Sequence, residues 1–182
     1  MRLVAITLIG VCAFAAAALY LEASKPTWYA KQRYPLEYEH VIVGHAENYD
    51  LDPALIAAVI YRESKFDADA RSSSGAVGLM QLLPSTAKGI AEHTGGGGFV
   101  VNDLNDPEIN VRYGSFYLRR LLRKYDDERL ALAAYNAGQS NVDEWMAADG
   151  EIRFAETREY VDAVVELREV YARAYADELG LA

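Results

Sequence analysis

The sequence predicts a mostly helical single domain that follows an N-terminal apolar segment. The chain of 182 residues is long enough for one domain with its own core and one appendage. Aspartate followed by proline marks two helix starts, and no stretch alternates convincingly enough for a full sheet. We divide the chain into a membrane anchor or signal segment at residues 1–21, a linker at 22–35 and the helical domain at 36–179.

The composition narrows the classes of function. The formal net charge of -9 argues against a nucleic-acid partner, because such binding usually needs a basic face. Cys12 is the only cysteine, which excludes an intramolecular disulfide and a thiol zinc site. The three histidines show no metal-ligand spacing. We therefore expect a monomer that needs no metal and no cofactor.

The N-terminal run "LVAITLIGVCAFAAAALYL", residues 3–21, contains no charge and follows Arg2. At about 1.5 Å per residue such a run just crosses a bilayer core of about 30 Å. An uncleaved anchor is favoured by the full apolar length and by Tyr20, and a cleaved secretory signal with "AFA" at 13–15 is the alternative. Both place the remainder outside the cytoplasm, either on a single membrane span or secreted.

Local signals then predict the helices in order. Pro35 opens a first helical segment, and Asp52 with the proline after it starts a helix that runs to about Arg62. The stretch "DARSSSGAVG", residues 69–78, is typical of a loop. Pro84 opens a short helix that ends near the "GGGG" run.

The C-terminal half shows similar signals. Asp106 with the proline after it starts a helix with a wide apolar face, and another helix over about 128–136 stops before Gly138. Ser140 and Asp143 resemble a capping box that opens a short helix.

A last long helix is predicted after residue 150. Thr157 is its predicted cap, which places Tyr160 in the first turn. Tyr160 shares an apolar stripe with Val164, so the tyrosine is expected to point inward.

Glu63 lies in "YRESKF", residues 61–66, where the predicted apolar helix ends. One interpretation is a surface carboxylate paired with Arg62 or Lys65. The other is a general acid, because apolar surroundings raise the pKa of a carboxyl group and let it donate a proton near neutral pH.

Four stretches decide between these interpretations. They are "ES" at 63–64, "GLMQ" at 78–81, "AYNAG" at 134–138 and "ETREYV" at 156–161. In order and spacing they resemble the catalytic domain of lytic transglycosylases of the soluble (SLT) type, relatives of goose-type lysozyme. The resemblance covers roughly residues 37–175, and it implies a lysozyme-like fold that acts on the glycan strands of peptidoglycan.

The resemblance also implies a mechanism with one carboxylate. Glu63 would act first as general acid and then as general base on the β-1,4 bond between N-acetylmuramic acid and N-acetylglucosamine. The N-acetyl group of the substrate would stabilise the anomeric carbon. The 6-hydroxyl of the same sugar would then close a 1,6-anhydro ring.

Substrate-binding residues are implied in the same way. Met80 would be an apolar platform of the sugar groove, with an ordinary alternative as a core residue, and Gln81 would be a hydrogen-bonding amide. Ser72 would lie near the acid, although Ser73 or Ser74 could take its place in the "SSS" run.

The other implied site residues are two tyrosines and an asparagine. Tyr135 and Asn136 would hold the N-acetyl sugar, and the Tyr160 hydroxyl would orient Glu63. Each has an ordinary alternative as core or turn residue.

Two rival functions stay open. A lysozyme-type muramidase would use water and leave a reducing end. A non-catalytic wall-binding protein would keep the groove without needing an acid.

Overall fold

The structure is a computed structural model that describes residues 2–94 and 97–181. The chain forms two compact units, Met1–Pro35 and Leu36–Ala182. The first unit contains the helices α1 (Arg2–Ser24) and α2 (Thr27–Arg33), so the segment predicted as a linker includes a short helix.

The apolar run of residues 3–21 lies within α1, and the side chains before Val11 fall outside the described part. Over the described residues, no helix has both the length and the apolar character needed to cross a membrane.

The second unit confirms the prediction of a mostly helical domain. Its helices are α3 (Glu39–Tyr49), α4 (Pro53–Ser64), α5 (Pro84–Thr94), a 3-10 helix (Val101–Asn105), α6 (Pro107–Tyr125), α7 (Glu128–Ala137), α8 (Gln139–Ala148) and α9 (Ala155–Ala174). Between α4 and α5 the chain forms only the isolated bridges of Val77 with Arg71 and with Leu82.

Both predicted aspartate caps are confirmed. The Asp52 carboxylate accepts a hydrogen bond from the backbone N–H of Ala54 at 2.8 Å. The Asp106 carboxylate accepts from Glu108 at 2.8 Å and from Ile109 at 3.2 Å. Each bond satisfies a backbone donor that the first helical turn leaves without a partner.

The predicted capping box at Ser140 is wrong. α8 begins at Gln139, directly after Gly138, and has no side-chain cap. The Asp143 carboxylate instead accepts hydrogen bonds from Lys124 at 2.7 Å and from Tyr125 at 2.9 Å. These partners on α6 occupy the carboxylate that the capping box would need.

The predicted cap at Thr157 is also wrong. α9 begins two residues earlier, at Ala155, and its first turn has no side-chain cap. Thr157 is buried, and its hydroxyl donates to the Asn136 side chain on α7 at 2.9 Å. Tyr160 therefore lies in the second turn of α9 and not in the first.

The core of the second unit forms where α4 packs against α9. All seven α4 residues at 54–60 are buried, and α9 contributes the buried stripe that includes Tyr160, Val164 and Tyr171. Arg168 of α9 binds Asp52, at the N-terminal end of α4, at 2.6 Å and Glu128, on α7, at 2.9 Å. The C-terminal end of α4, which carries Glu63, lies beside α9 at Tyr160, whose ring contacts Arg62.

Candidate active site

Glu63 lies in the last turn of α4, one residue before the helix ends at Ser64. The next two residues, Lys65 and Phe66, adopt the left-handed conformation with φ of 54° and 69°. This turn buries the Phe66 ring beside the helix end, while Glu63 itself is half-buried. The backbone thus places the Glu63 carboxyl group at the end of a buried helix, at the edge of the core.

The surroundings of Glu63 favour the protonated carboxyl. Burial raises the pKa of Glu63 to about 7 from its ordinary 4.5, while the Tyr160 hydroxyl and the Arg62 charge act in the opposite direction. Within the described ranges, Glu63 forms no ion pair with Arg62 or Lys65. The interpretation of Glu63 as a paired surface carboxylate therefore has no support in this structure.

Tyr160 on α9 lies beside Glu63. Its side chain is only 2% exposed, and burial, followed by the Glu63 charge, raises the pKa of its hydroxyl well above the ordinary value. The hydroxyl makes no hydrogen bond of standard geometry, so its contact with Glu63 is an electrostatic one with an incompletely formed bond. The two groups are neighbours, as the sequence predicts.

Tyr135 faces Glu63 from α7. Its hydroxyl donates a hydrogen bond to the carbonyl of Met80 at 2.8 Å. Burial, and then the Glu63 charge, raises the pKa of Tyr135, so the hydroxyl lies within electrostatic range of the carboxyl group. The ring centroid of Tyr117 on α6 lies 5.5 Å from that of Tyr135.

The Met80 side chain is fully buried and does not form an exposed platform in this structure. It packs against α6 at Gly114, where a Cβ atom would lie 2.2 Å from the Met80 sulfur. Gln81 has a positive φ of 47°, and its amide donates to the carbonyls of Ala70 at 3.1 Å and Gly78 at 2.9 Å. This turn is therefore held by its own polar groups as well as by α6.

Asn110 on α6 supports the same turn and is completely buried. Its side-chain oxygen accepts from the Met80 N–H at 2.8 Å. Its amide donates to the carbonyls of Val77 at 2.9 Å and Leu104 at 2.8 Å. Asn110 thus satisfies three backbone groups, of which the Met80 N–H and the Leu104 carbonyl have no other described partner, while the Val77 carbonyl also accepts from the Leu82 N–H at 3.1 Å.

Gly78 is required by this arrangement. Its φ is +79°, and a Cβ atom there would lie 2.2 Å from both the Asn110 amide nitrogen and the Leu104 carbonyl oxygen. Only glycine allows the turn to come this close to α6.

The predicted polar residues Ser72 and Asn136 form hydrogen bonds within the protein, which are local for Ser72 and tertiary for Asn136. The Ser72 hydroxyl accepts from the Ala76 N–H at 3.0 Å and lies 2.8 Å from the Ser74 hydroxyl. Over the described residues no hydrogen bond joins Ser72 to Glu63. Asn136 is exposed and accepts the bond from Thr157.

A cavity of about 190 Å³ brings several predicted residues together: Gln81, Leu82, Leu83, Thr86, Tyr117, Tyr135, Asn136, Ala137 and Gly138. Glu63 does not line it, and Tyr135 connects the cavity to the acid. A larger cavity of about 950 Å³ lies between α5 and residues 97–101, where the titratable side chains are Lys88 and Glu92. The smaller cavity is the candidate site, because it lies beside the group with the perturbed pKa.

No cluster of three or more His, Cys, Asp or Glu side chains suited to a metal ion occurs within the described part of the chain.

Sequence reasoning missed Asn110 and treated Tyr117 only as part of an apolar helix face. A detectable signal existed for Asn110, because it lies on the α6 stripe that also buries Tyr113, Gly114 and Leu118. An amide on such a stripe must find partners in the core. No sequence signal distinguished Tyr117 from the other aromatic residues of α6.

The domain is mostly helical and lysozyme-like, and its one carboxyl of raised pKa lies within electrostatic range of the hydroxyls of Tyr160 and Tyr135. The family model described as "Transglycosylase SLT domain" matches residues 40–157. The chain belongs to this family.

Two curated relatives are similar over most of the chain. The putative soluble lytic murein transglycosylase of Haemophilus influenzae is 36% identical over 75% of this chain and 25% of its own length. The soluble lytic murein transglycosylase of Salmonella typhimurium is 30% identical over 74% of this chain and 23% of its own. The chain thus spans about a quarter of the length of these relatives.

Solved structures show the same fold. Lytic transglycosylase Slt of Pseudomonas aeruginosa, solved as an inactive mutant, superposes with a TM-score of 0.73 at 35% identity, over 79% of this chain and 25% of that one. The 70 kDa soluble lytic transglycosylase of Escherichia coli gives a TM-score of 0.76 at 28% identity, over 84% of this chain and 27% of that one.

Proposed function

We propose that this protein is a peptidoglycan lytic transglycosylase that cleaves the β-1,4 bond between N-acetylmuramic acid and N-acetylglucosamine. The observation that carries the proposal is the Glu63 carboxyl, whose pKa burial raises to about 7. Such a group is protonated in a large fraction of molecules at neutral pH and can donate to a leaving oxygen. The names of the relatives, lytic murein transglycosylases, support the same reaction.

In the first step Glu63 donates its proton to the glycosidic oxygen as the bond to the anomeric carbon breaks. The N-acetyl oxygen of the muramic acid residue bonds to that carbon and takes up the developing positive charge. In the second step the Glu63 carboxylate removes the proton of the 6-hydroxyl, whose oxygen displaces the N-acetyl oxygen. A 1,6-anhydro ring forms, Glu63 is protonated again, and no water is consumed.

The remaining residues bind and orient the strand in this proposal. Gln81, Tyr135 and Asn136 line the cavity beside the acid and offer hydrogen-bonding groups to the N-acetyl sugar. Met80 supports the groove with its buried side chain and with its backbone carbonyl, which accepts the hydrogen bond from the Tyr135 hydroxyl. Ser72 stabilises the loop next to this turn.

The products test the reaction. Mass spectrometry of purified cell-wall strands after digestion should show fragments that end in 1,6-anhydromuramic acid. Fragments that end in a reducing sugar, heavier by one water, would instead identify a lysozyme-type muramidase. Strand binding without release of fragments would identify a wall-binding protein.

Replacing Tyr160 by phenylalanine should lower activity while the fold survives, because one interaction with Glu63 is lost at a cost of about 0.5–3 kcal/mol. Wild-type activity should fall as pH rises through about 7, where Glu63 loses its proton. Tyr160 lowers the pKa of Glu63, so its removal should raise that pKa and move the fall to higher pH. Rate measurements across pH check both expectations.

Tyr125→Phe is the matched control, because this buried tyrosine bonds the carboxylate of Asp143 and not that of Glu63. It should change stability and leave the pH profile unchanged. Identical kinetics in Tyr160→Phe and wild type would mean that Tyr160 is a core residue that does not orient Glu63.

The apolar run at residues 3–21 suggests that the domain works outside the cytoplasm, on an uncleaved anchor or after secretion. A relative from Yersinia pestis, 38% identical over 58% of this chain, is named membrane-bound lytic murein transglycosylase F. Cell fractionation with N-terminal sequencing should find the intact chain with the membranes. A mature soluble chain that starts near residue 16 would contradict the anchor and identify a cleaved signal.

A further inference from the structure

Arg62 lies next to the candidate acid and has no carboxylate partner. Its guanidinium group is exposed and lies over the ring of Tyr160, with 5.5 Å between the guanidinium carbon and the ring centroid. In contrast, Arg119, Arg129, Arg153 and Arg168 each bind a carboxylate. Within the described residues, then, Arg62 is a solvent-accessible cation held at the candidate site without a counterion.

The position of Arg62 is set by the two helices that form the site. It precedes Glu63 in α4, and its contact with Tyr160 ties it to the second turn of α9. The cation–π attraction to the ring engages no oxygen acceptor, so the N–H donors of Arg62 stay available to a ligand. Those donors match a carboxylate in two parallel hydrogen bonds.

The charge of the whole chain makes this local cation significant. Acidic residues outnumber basic ones by 27 to 18, so the protein as a whole repels an anionic polymer. Strand binding therefore needs local positive charge where the polymer carries its carboxylates. In peptidoglycan the carboxylates lie on the lactyl group of muramic acid or, where a peptide stem is attached to that group, on the stem.

We propose that Arg62 is a specificity-determining residue that binds a carboxylate on the muramyl side chain of the sugar positioned at Glu63. This inference rests on the proposed function, because it takes the strand to be peptidoglycan. The lactyl carboxylate and a stem carboxylate offer the same chemistry to the guanidinium group, and the experiment below separates them.

A bound carboxylate would also assist the acid. Arg62 lowers the pKa of Glu63, which opposes the protonated form needed for the first step. A carboxylate on Arg62 neutralises that charge, so Glu63 keeps its proton to higher pH when an anionic strand is bound. The other groups that face Glu63 are the hydroxyls of Tyr160 on α9 and Tyr135 on α7, and both are neutral in this range.

Binding is measured with the full chain carrying Glu63→Gln, which resembles the protonated acid and leaves the strands uncut. Arg62→Gln and Arg62→Lys are each added to this background. Arg173→Gln is the matched control, because Arg173 is exposed on α9 about 20 Å from Tyr160 along the helix and has no described partner. Thermal unfolding confirms that each variant folds.

Three probes are compared: peptide-free strands with free lactyl carboxylates, the same strands with these groups converted to methylamides, and strands with peptide stems. Arg62→Gln should weaken binding to carboxylate-bearing strands about 5- to 20-fold and leave the methylamide strands unaffected. Arg62→Lys should retain part of the affinity, and Arg173→Gln all of it. A loss confined to peptide-free strands identifies the lactyl carboxylate, and one confined to stem-bearing strands identifies the stem.

Equal binding by Arg62→Gln and its parent, or an equal loss on charged and methylamide strands, would overturn the inference and leave the proposed function standing. Charge-dependent binding through Arg62, together with no anhydro products from the wild type, would overturn only the proposed reaction. No binding of any strand by the parent protein would overturn both.

Discussion

Replacing Glu63 by glutamine is expected to abolish glycan cleavage, with a loss of about 10²- to 10⁴-fold or more, while folding and strand binding survive. Glutamine has nearly the same shape as the protonated carboxyl but cannot donate or accept the catalytic proton. Because burial disfavours the ionised carboxylate, a neutral side chain at this position should not destabilise the domain. Release of anhydro fragments, normalised to the folded fraction, is the measurement.

Glu144→Gln provides the matched control for this prediction. Glu144 is an exposed carboxylate on α8 with no described partner, so its replacement should leave the rate unchanged. Substantial turnover by pure, folded Glu63→Gln protein would remove Glu63 from the acid role and leave the proposed mechanism without a proton donor.

Replacing Asn110 by alanine is expected to cost several kcal/mol of folding free energy. The change removes three hydrogen bonds and leaves the Met80 N–H and the carbonyls of Val77 and Leu104 buried without that partner. The Val77 carbonyl keeps its hydrogen bond from the Leu82 N–H at 3.1 Å, so two groups become unsatisfied, at about 1–3 kcal/mol each. The sum is a large fraction of the stability of a typical domain. Urea unfolding should therefore shift to a much lower midpoint.

Asn141→Ala is the matched control, because the Asn141 amide makes one local hydrogen bond, to Ala137 at 2.7 Å. This substitution should lower the free energy of unfolding by only about 1 kcal/mol. Activity gives a second measurement, since the carbonyl that holds Tyr135 belongs to the turn that Asn110 supports. An unchanged unfolding midpoint in Asn110→Ala would contradict this account of the turn.

Local signals predicted the helix starts correctly where the signal and its partner lie in the same turn. Asp52 and Asp106 cap their helices through backbone groups two or three residues away, so no tertiary contact is needed. The prediction failed at Thr157, whose hydroxyl finds its acceptor on α7. A buried polar group takes whatever partner the packing supplies, and the sequence does not contain that information.

The site residues show the same division. The family resemblance of the four motifs named Glu63, Tyr135 and Tyr160 as candidates, and the structure brings these three side chains within electrostatic range of one another. The sequence left Met80 open between a platform of the groove and a core residue, and the close approach of the turn to α6 at Gly114 decided for the core.

The sequence by itself determined a mostly helical domain, its family and its candidate acid. Helix periodicity, helix caps and motifs each depend on residues that are close together in the sequence. The tertiary structure decided the raised pKa of Glu63, which requires the desolvation supplied by other helices. It also decided that Asn110 supports the turn at Met80 and that Arg62 lies over Tyr160 with no counterion in the described part of the chain. Each of these depends on residues distant in sequence that only packing brings into contact.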